Sequence, residues 1–196
     1  MNRVIQSTER GPAHHSRFAL PNEERFFSIV TTPVGELLVV SDGSSLVELH
    51  LPAGAPFEKT TRPYIRDDRL LKPVADELAA YFSGELTKFT VMLAPSGTEF
   101  QRAVWNALCE IEYGATATYG EVAAAINRPK APRAVGMANH VNPIALIIPC
   151  HRVIGANGAL TGYAGGLDLK KALLGHEASV VAGERPSWAA GDYPAA

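Results

Sequence analysis

The hydrophobic period of this chain changes once, at Pro95-Ser96-Gly97. Upstream, apolar residues come in short β-rich runs: Phe27-Ser28-Ile29-Val30, Leu37-Leu38-Val39-Val40 and Leu46-Val47-Glu48-Leu49. The breaks between them, Pro33-Val34-Gly35 and Asp42-Gly43-Ser44-Ser45, carry turn chemistry, so the runs predict an antiparallel sheet. Leu71, Val74, Leu78, Tyr81 and Phe82 then recur at helical spacing, Gly84 stops that helix, and Phe89 to Leu93 reads as another strand. Downstream the pattern is mostly helical. Ser96 and Glu99 have capping-box spacing ahead of a helix with Phe100, Val104, Leu108 and Ile111 on one face. Thr118 and Glu121 make a second box before a short helix from about Val122 to Ile126. Asn127-Arg128-Pro129-Lys130 breaks it, and Pro132 suits the first turn of a further helix ending near His140. Two short helices across a tight break have helix-turn-helix shape. Strands first and helices after predict an α+β chain in two parts. A small antiparallel sheet with a helix occupies 25–94, and a mostly helical unit occupies 95–178. Residues 1–24 and 179–196 read as flexible tails.

The 196 residues suffice for one fair-sized core or for a main domain with a small companion. No apolar run approaches the roughly 18 residues of a membrane span, and Met1 to Pro12 has no apolar stretch of the signal-peptide kind. Cys109 and Cys150 are too few for a disulfide framework and point to a reducing, cytoplasmic setting. Net charge is -2, yet from Val122 to Leu167 there is no Asp or Glu. That stretch holds Arg128, Lys130, Arg133 and Arg152, with His140 and His151. An acid-free basic segment inside an acidic protein is the footprint of a polyanion partner, although chance clustering on a solvated face would look the same.

The chemistry concentrates where an apolar run, Ile144 to Ile148, predicts a buried strand feeding Pro149-Cys150-His151-Arg152. Cys109, mid-helix among apolar neighbours, reads as inert. Cys150 follows a proline at a strand end, and an adjacent imidazole and guanidinium favour an ionised sulfur. His151 is a sequence neighbour, so a water between ring and sulfur suits the spacing. Glu177, near the end of the last helix, is the candidate to orient the imidazole, with an exposed helix residue as the alternative. Thr161 to Gly166 is a flexible loop, and Asp168 caps the helix that runs to about Glu177.

Pro149-Cys150-His151-Arg152-Val153 strongly resembles the active-site signature of the O6-alkylguanine-DNA alkyltransferases, the methylated-DNA–protein-cysteine methyltransferases. The resemblance runs from about Phe100 to Glu177. It takes in Thr118-Tyr119-Gly120, Pro132-Arg133-Ala134-Val135-Gly136, Asn142-Pro143 and Leu146-Ile147-Ile148, then Tyr163-Ala164-Gly165-Gly166-Leu167, Lys170, Leu173-Leu174 and His176-Glu177. Upstream of Gly84 it rests on element order alone. It implies a ribonuclease H-like N-terminal part and a C-terminal helix-turn-helix of winged-helix type. It further implies irreversible, single-use transfer of an alkyl group from O6 of guanine, and from O4 of thymine, in duplex DNA to Cys150.

By that likeness His151, through a water, and Glu177 hold Cys150 as a thiolate, and Asn142 forms the hinge beside it. Tyr119 presses on the target phosphate and helps protonate the purine. Arg133 fills the gap left by the flipped base, and the backbones of Cys150 and Val153 read the exocyclic amine. Tyr163, Ala164 and Lys170 line and close the pocket. Arg128, Ala134, Gly136 and Asn139 join Tyr119 and Arg133 on the DNA. The implied partner is double-stranded DNA containing O6-alkylguanine, bound by a monomer, singly or cooperatively, with no cofactor, metal or membrane. Ala164 stands where the family often has serine. His14-His15 are read as idle tail residues rather than ligands of the structural zinc that some members hold.

Three other readings fare worse. A damage-binding relative without chemistry would lack the cysteine of the signature. An unrelated cysteine hydrolase would need an oxyanion hole and leave Tyr119, Arg133 and the acid-free segment unexplained. A regulator with an added N-terminal metal domain would need a longer chain.

Overall fold

The computed structural model describes residues 24–52, 57, 63–185 and 188. A tight reversal at Pro33-Val34 joins β1 (Phe26–Thr32) to β2 (Gly35–Ser41) in an antiparallel pair, and β3 (Leu46–His50) pairs antiparallel with β2. All of Leu37, Leu38, Val39 and Val40 are buried, because β2 lies inside the sheet with both faces covered. The sheet is not wholly antiparallel as the sequence suggests. A two-residue strand, β4 (Ile65–Arg66), pairs parallel with β1 and completes the order β3-β2-β1-β4. Two residues are too few to show an alternation, so β4 left no sequence signal.

Helix α1 (Lys72–Ser83) buries Val74, Leu78, Tyr81 and Phe82, as its spacing predicts. Gly84 ends it in the left-handed conformation at φ 80°, its N–H donating to the Tyr81 carbonyl. Phe89 to Leu93 is not a strand. Its Thr90 amide donates to the Glu77 carboxylate at 2.8 Å, so a side chain takes the bond a ladder would use. Only its end reaches the sheet, where Leu46 N–H donates to Met92 O at 2.8 Å and Ala94 N–H to Leu46 O at 2.9 Å.

Helix α2 (Glu99–Cys109) starts at a capping box, but one residue pair later than Ser96/Glu99. Gln101 N–H donates to Thr98 Oγ1 at 3.2 Å, and Thr98 N–H donates to Gln101 Oε1 at 2.8 Å. Both pairs fit the spacing rule, and such a cap is worth about 1 kcal/mol. The buried face is Val104, Trp105 and Leu108. Phe100 is half-buried, and Ile111 is buried beyond the helix end. Cys109 closes the helix half-buried rather than sitting at its middle.

The second box, Thr118/Glu121, opens a helix as the sequence predicts, α3 (Tyr119–Ala125), which starts three residues earlier than expected and directly follows a two-residue strand, β5 (Ala117–Thr118), that the sequence did not signal. Helix α4 (Pro132–His140) follows across the break, and Trp105 Nε1–H pins it by donating to Ala138 O at 2.9 Å. A 3-10 turn (Cys150–Arg152) leads into β6 (Val153–Ile154), which pairs parallel with β5 beside the helix-turn-helix. The last helix, α5 (Gly166–Val181), starts at Gly165, so Asp168 lies in its first turn and is not its cap. An acidic residue there still favours the positive helix end. The helix continues past Glu177, and Trp188, in the expected tail, is buried with its ring 5.4 Å from Phe82 and 5.0 Å from His176. Of the expected N-terminal tail, 1–23 lie outside the described residues.

The two parts meet along β3. Leu49 N–H donates to Pro143 O at 2.7 Å, so a segment from the helical part covers the edge of the N-terminal sheet. One apolar cluster runs through both, from Val39, Leu49 and Leu78 to Leu108, Ile148 and Leu173. Burying each such leucine stabilises by about 1.5–3 kcal/mol, so the shared cluster helps hold the two parts together. Among the described residues no helix is long and apolar enough to cross a membrane.

Candidate active site

Cys150 is set by backbone turns, not by the strand that Ile144 to Ile148 predicts. The five residues are all buried, but they make only isolated bridges, Leu49 with Ile144 and Ala145 with Ile148. Leu146 takes a left-handed φ of 74°, Ile147 N–H turns back to Ala145 O at 3.0 Å, and Cys150 N–H to Ile148 O at 2.8 Å. A buried apolar run reads the same whether it extends or folds back on itself. A leucine at positive φ costs on the order of 1–3 kcal/mol and marks a chain held by its surroundings.

Asn142 does the holding. Its Oδ1 accepts from Ile144 N–H at 3.1 Å, which fixes the amide orientation and turns Nδ2 toward the nucleophile. Nδ2 donates to Ile148 O at 2.8 Å and to Cys150 Sγ at 3.2 Å. Asn142 is therefore a direct donor to the sulfur as well as a backbone staple.

His151 and Glu177 are both fully buried. Glu177 Oε1 accepts from His151 Nε2, Arg152 Nη2 and Tyr81 Oη, each at 2.9 Å. Oε2 accepts from Arg152 Nε at 2.9 Å and from Gly114 N–H at 3.0 Å. Gly114 has φ 75°, and a Cβ there would come within 2.7 Å of Val181, so this close approach needs glycine. Burial alone would push the Glu177 carboxyl up, but His151 and Arg152 outweigh it and hold it well below the usual carboxylate range. Burial in turn holds His151 below its ordinary value, hence neutral. A carboxylate only accepts, so the proton of the neutral ring sits on Nε2 and the lone pair is on Nδ1. Nδ1 is buried with no protein partner among the described residues.

Two expectations change here. Arg152 does not face the sulfur. Its guanidinium clamps Glu177, donates to Ile111 O at 2.7 Å and lies 5.5 Å from the Tyr113 ring centre. Burial also works against ionisation of Cys150. At 6% exposure, burial pushes its thiol up, and the Asn142 amide, the Lys170 charge and the neighbouring backbone N–H groups offset that only in part. Burial thus favours the uncharged forms of both the thiol and the imidazole.

Cys150 opens into a cavity of about 70 Å³ lined by Tyr119, Gly136, Asn139, His140, Cys150, Gly162, Tyr163 and Ala164. Five of the expected site residues besides Cys150 meet here: Tyr119, Gly136, Asn139, Tyr163 and Ala164. Gly136 leaves room for the Tyr119 ring, which a Cβ would meet at 3.8 Å. Both amide atoms of Asn139 are buried without a protein partner among the described residues. A larger cavity of about 370 Å³, lined by Cys109, Tyr113 and Pro149 among others, does not include Cys150.

Asn142, His151, Val153, Lys170 and Glu177 stand behind the cavity wall. Lys170 is fully buried and ties β6 to the loop over the cavity, donating to Val153 O at 2.6 Å and to Thr161 O at 2.7 Å. Val153 O is thus engaged already, and Cys150 O accepts from Val153 N–H. Each carbonyl keeps one lone pair for a ligand. Arg128, Arg133 and Ala134 lie outside the cavity, exposed on the helix-turn-helix with Met137, which is 63% exposed. Among the described residues no three His, Cys, Asp or Glu side chains gather as a metal group, and His14-His15 lie outside them.

Sequence reasoning missed Tyr81, Gly114 and the clamping role of Arg152. Their bonds to Glu177 span long stretches of chain, and no local pattern encodes them.

The chain also matches known proteins along most of its described length. Residues 26–95 match the 6-O-methylguanine DNA methyltransferase ribonuclease-like domain and 99–179 its DNA binding domain. A methylated-DNA--protein-cysteine methyltransferase of Methanosarcina acetivorans is 50% identical over 154 residues, 79% of this chain and 99% of that protein. Its namesake in Mycobacterium bovis is 47% identical over 153 residues, 78% and 92% of the two chains. The structure of Mycobacterium tuberculosis OGT in complex with DNA aligns with a TM-score of 0.76 at 43% identity, covering 85% of this chain and 98% of that one. The fold, the two consecutive domain matches and these relatives lead to one conclusion: the chain belongs to the 6-O-methylguanine DNA methyltransferase family.

Proposed function

We propose that this chain repairs duplex DNA by moving an alkyl group from O6 of guanine, and from O4 of thymine, onto Cys150, once per molecule. One observation carries the reading. A buried cysteine, held by Asn142 at 3.2 Å and backed by a Glu177-oriented neutral histidine, opens beside α4, a helix with no acidic residue.

The target base cannot be attacked within the stack, so it is extruded, at a cost of a few kcal/mol. Helix α4 enters a groove, with Arg128 on the backbone, Ala134 and Gly136 allowing close approach, and Arg133 stacking where the base was. Tyr119 presses on the flanking phosphate. The cavity of about 70 Å³ is smaller than a purine, so the loop of Tyr163 and Ala164 moves outward to admit it. Carbonyl lone pairs of Cys150 and Val153 accept from the exocyclic amine, and Asn139 offers its amide to the base.

The chemistry is a displacement at the alkyl carbon. The Cys150 S–H proton passes through a water to His151 Nδ1, while Glu177 stabilises the imidazolium. Sulfur bonds to the alkyl carbon as the carbon–O6 bond breaks, and the departing electron pair becomes the guanine carbonyl. The ring nitrogen takes up one proton, delivered by way of Tyr119, and His151 returns to neutral. The product thioether does not hydrolyse, so the acceptor is consumed.

Titrating the protein with excess O6-methylguanine duplex and counting repaired bases tests the single-use reading. Repair should stop at about one base per molecule. Continued turnover would exclude Cys150 as a terminal acceptor.

A further inference from the structure

We propose that Tyr81, supplied by the N-terminal part, is a positioning residue of the Cys150 site, an inference that rests on the alkyl-transfer reading above. Its phenol is buried on α1 and donates to Glu177 Oε1 at 2.9 Å, the oxygen that also accepts from His151 Nε2 at 2.9 Å. Donors on one carboxylate oxygen compete. Each draws charge from it, so the phenol moderates the bond Glu177 makes to the imidazole.

The surroundings keep Tyr81 in that role. Its ring stacks on Phe89 at 5.4 Å and meets Phe82 and Tyr113 edge-on at 5.2 and 5.9 Å. Its carbonyl accepts from His176 Nε2 at 2.9 Å, which ties α1 to α5 one residue before Glu177. Burial and the Glu177 charge push its hydroxyl well above the ordinary tyrosine value, so it stays a donor at every working pH.

Titratable groups approach His151 and Glu177 from each neighbouring element. They are Tyr81 on α1, Tyr113 after α2, Cys150 and Arg152 on the 3-10 turn, and Lys170 and His176 on α5. Among the described residues, Arg152 and Tyr81 share Oε1 with His151, and of those two only Tyr81 can be withdrawn without removing a charge. Through the Tyr81 phenol the N-terminal part reaches the Glu177 carboxylate directly.

The experiment compares wild type, Tyr81→Phe and site-specific Tyr81→3-fluorotyrosine in the full chain. It follows single-turnover transfer from free O6-benzylguanine to Cys150 as a function of pH. Without the phenol, Glu177 accepts more strongly from His151 and the imidazole becomes more basic. The acid limb of the rate profile then moves up by about half a pH unit. The fluorophenol is a stronger donor and moves the limb down. The His151 ring ¹⁵N titration should follow the same order. Profiles and titrations that coincide in all three proteins overturn the proposal, even with a slower Tyr81→Phe, because a merely structural role lowers the rate without moving the limb. If Tyr81→Phe does not fold, the nearly isosteric fluorotyrosine decides. A wild type that puts no alkyl group on Cys150 overturns the alkyl-transfer reading itself. A reactive wild type with an unmoved limb sinks the role of Tyr81 alone.

Discussion

Replacing Glu177 by glutamine keeps the side-chain shape and removes the charge on which the buried network turns. Oε1 faces three donors and Oε2 two, and of these the Arg152 guanidinium, which reaches both oxygens, and the Gly114 amide can only donate. A glutamine has one acceptor oxygen. Whichever way its amide turns, its NH₂ confronts an Arg152 N–H that cannot accept. Arg152, 7% exposed, loses its carboxylate partner and one arm of the fork, keeping the Ile111 carbonyl and a single bond to the amide oxygen. Breaking a buried pair from one side costs about 3–5 kcal/mol, a large share of the roughly 5–15 kcal/mol that holds a domain folded. Denaturant titration of Glu177→Gln should show that loss. Alkyl transfer should slow by about 100-fold or more, the usual worth of a positioned base. The double variant Glu177→Gln/Arg152→Met removes the stranded cation and should regain most of the stability without regaining the rate. A single variant costing under about 1 kcal/mol, the scale of an exposed pair, would refute the buried-network argument. So would a double variant that recovers activity.

Arg133→Ala should slow repair in duplex DNA more than reaction with free O6-benzylguanine, since only the duplex has a gap to fill; equal slowing of both, measured by single-turnover kinetics, contradicts the flipping role. Asn142→Ala takes one donor from Ile148 O and the Asn142 amide from Cys150 Sγ, and leaves Ile144 N–H without its acceptor. It should cost about 1–3 kcal/mol and push the thiol further up, visible as a higher pH midpoint for iodoacetamide capture. Stability should fall on acidification in two stages. His151 and His176 are held neutral by burial, so the unfolded chain takes up their protons first below about pH 6.5. Glu177, depressed in the fold, contributes fully above about pH 4.3 and loses that contribution as pH drops toward its folded value. Cys150 is raised in the fold, so its contribution is lost as pH climbs past about 8.5, where the unfolded thiol ionises. Thermal midpoints against pH should show this alkaline loss in the unreacted protein and not in the S-methylated one.

The legible parts of the fold were those written in local pattern. The spacing of Leu71, Val74, Leu78 and Phe82 gave α1, Gly84 its end, and Thr118/Glu121 the start of α3. The signature around Cys150 pointed to the nucleophile. What stayed hidden depends on groups far apart in the chain. Ile144 to Ile148 has strand composition, yet Asn142 and the turn at Leu146 fold it back. Arg152 reads as a partner for its neighbour in sequence, but Glu177 offers it two oxygens in ideal fork geometry, and bidentate pairing wins. Tyr81 looks like one more apolar helix position, and only the fold gives its hydroxyl a carboxylate.

Intact-protein mass spectrometry with peptide mapping, after incubation with O6-methylguanine duplex DNA, addresses the role of Cys150 most directly. A gain of about 14 Da, one methyl replacing one hydrogen, should map to the Cys150 peptide and be missing in Cys150→Ser. An adduct on Cys109 or elsewhere, or an unmodified protein beside repaired DNA, would contradict transfer to Cys150.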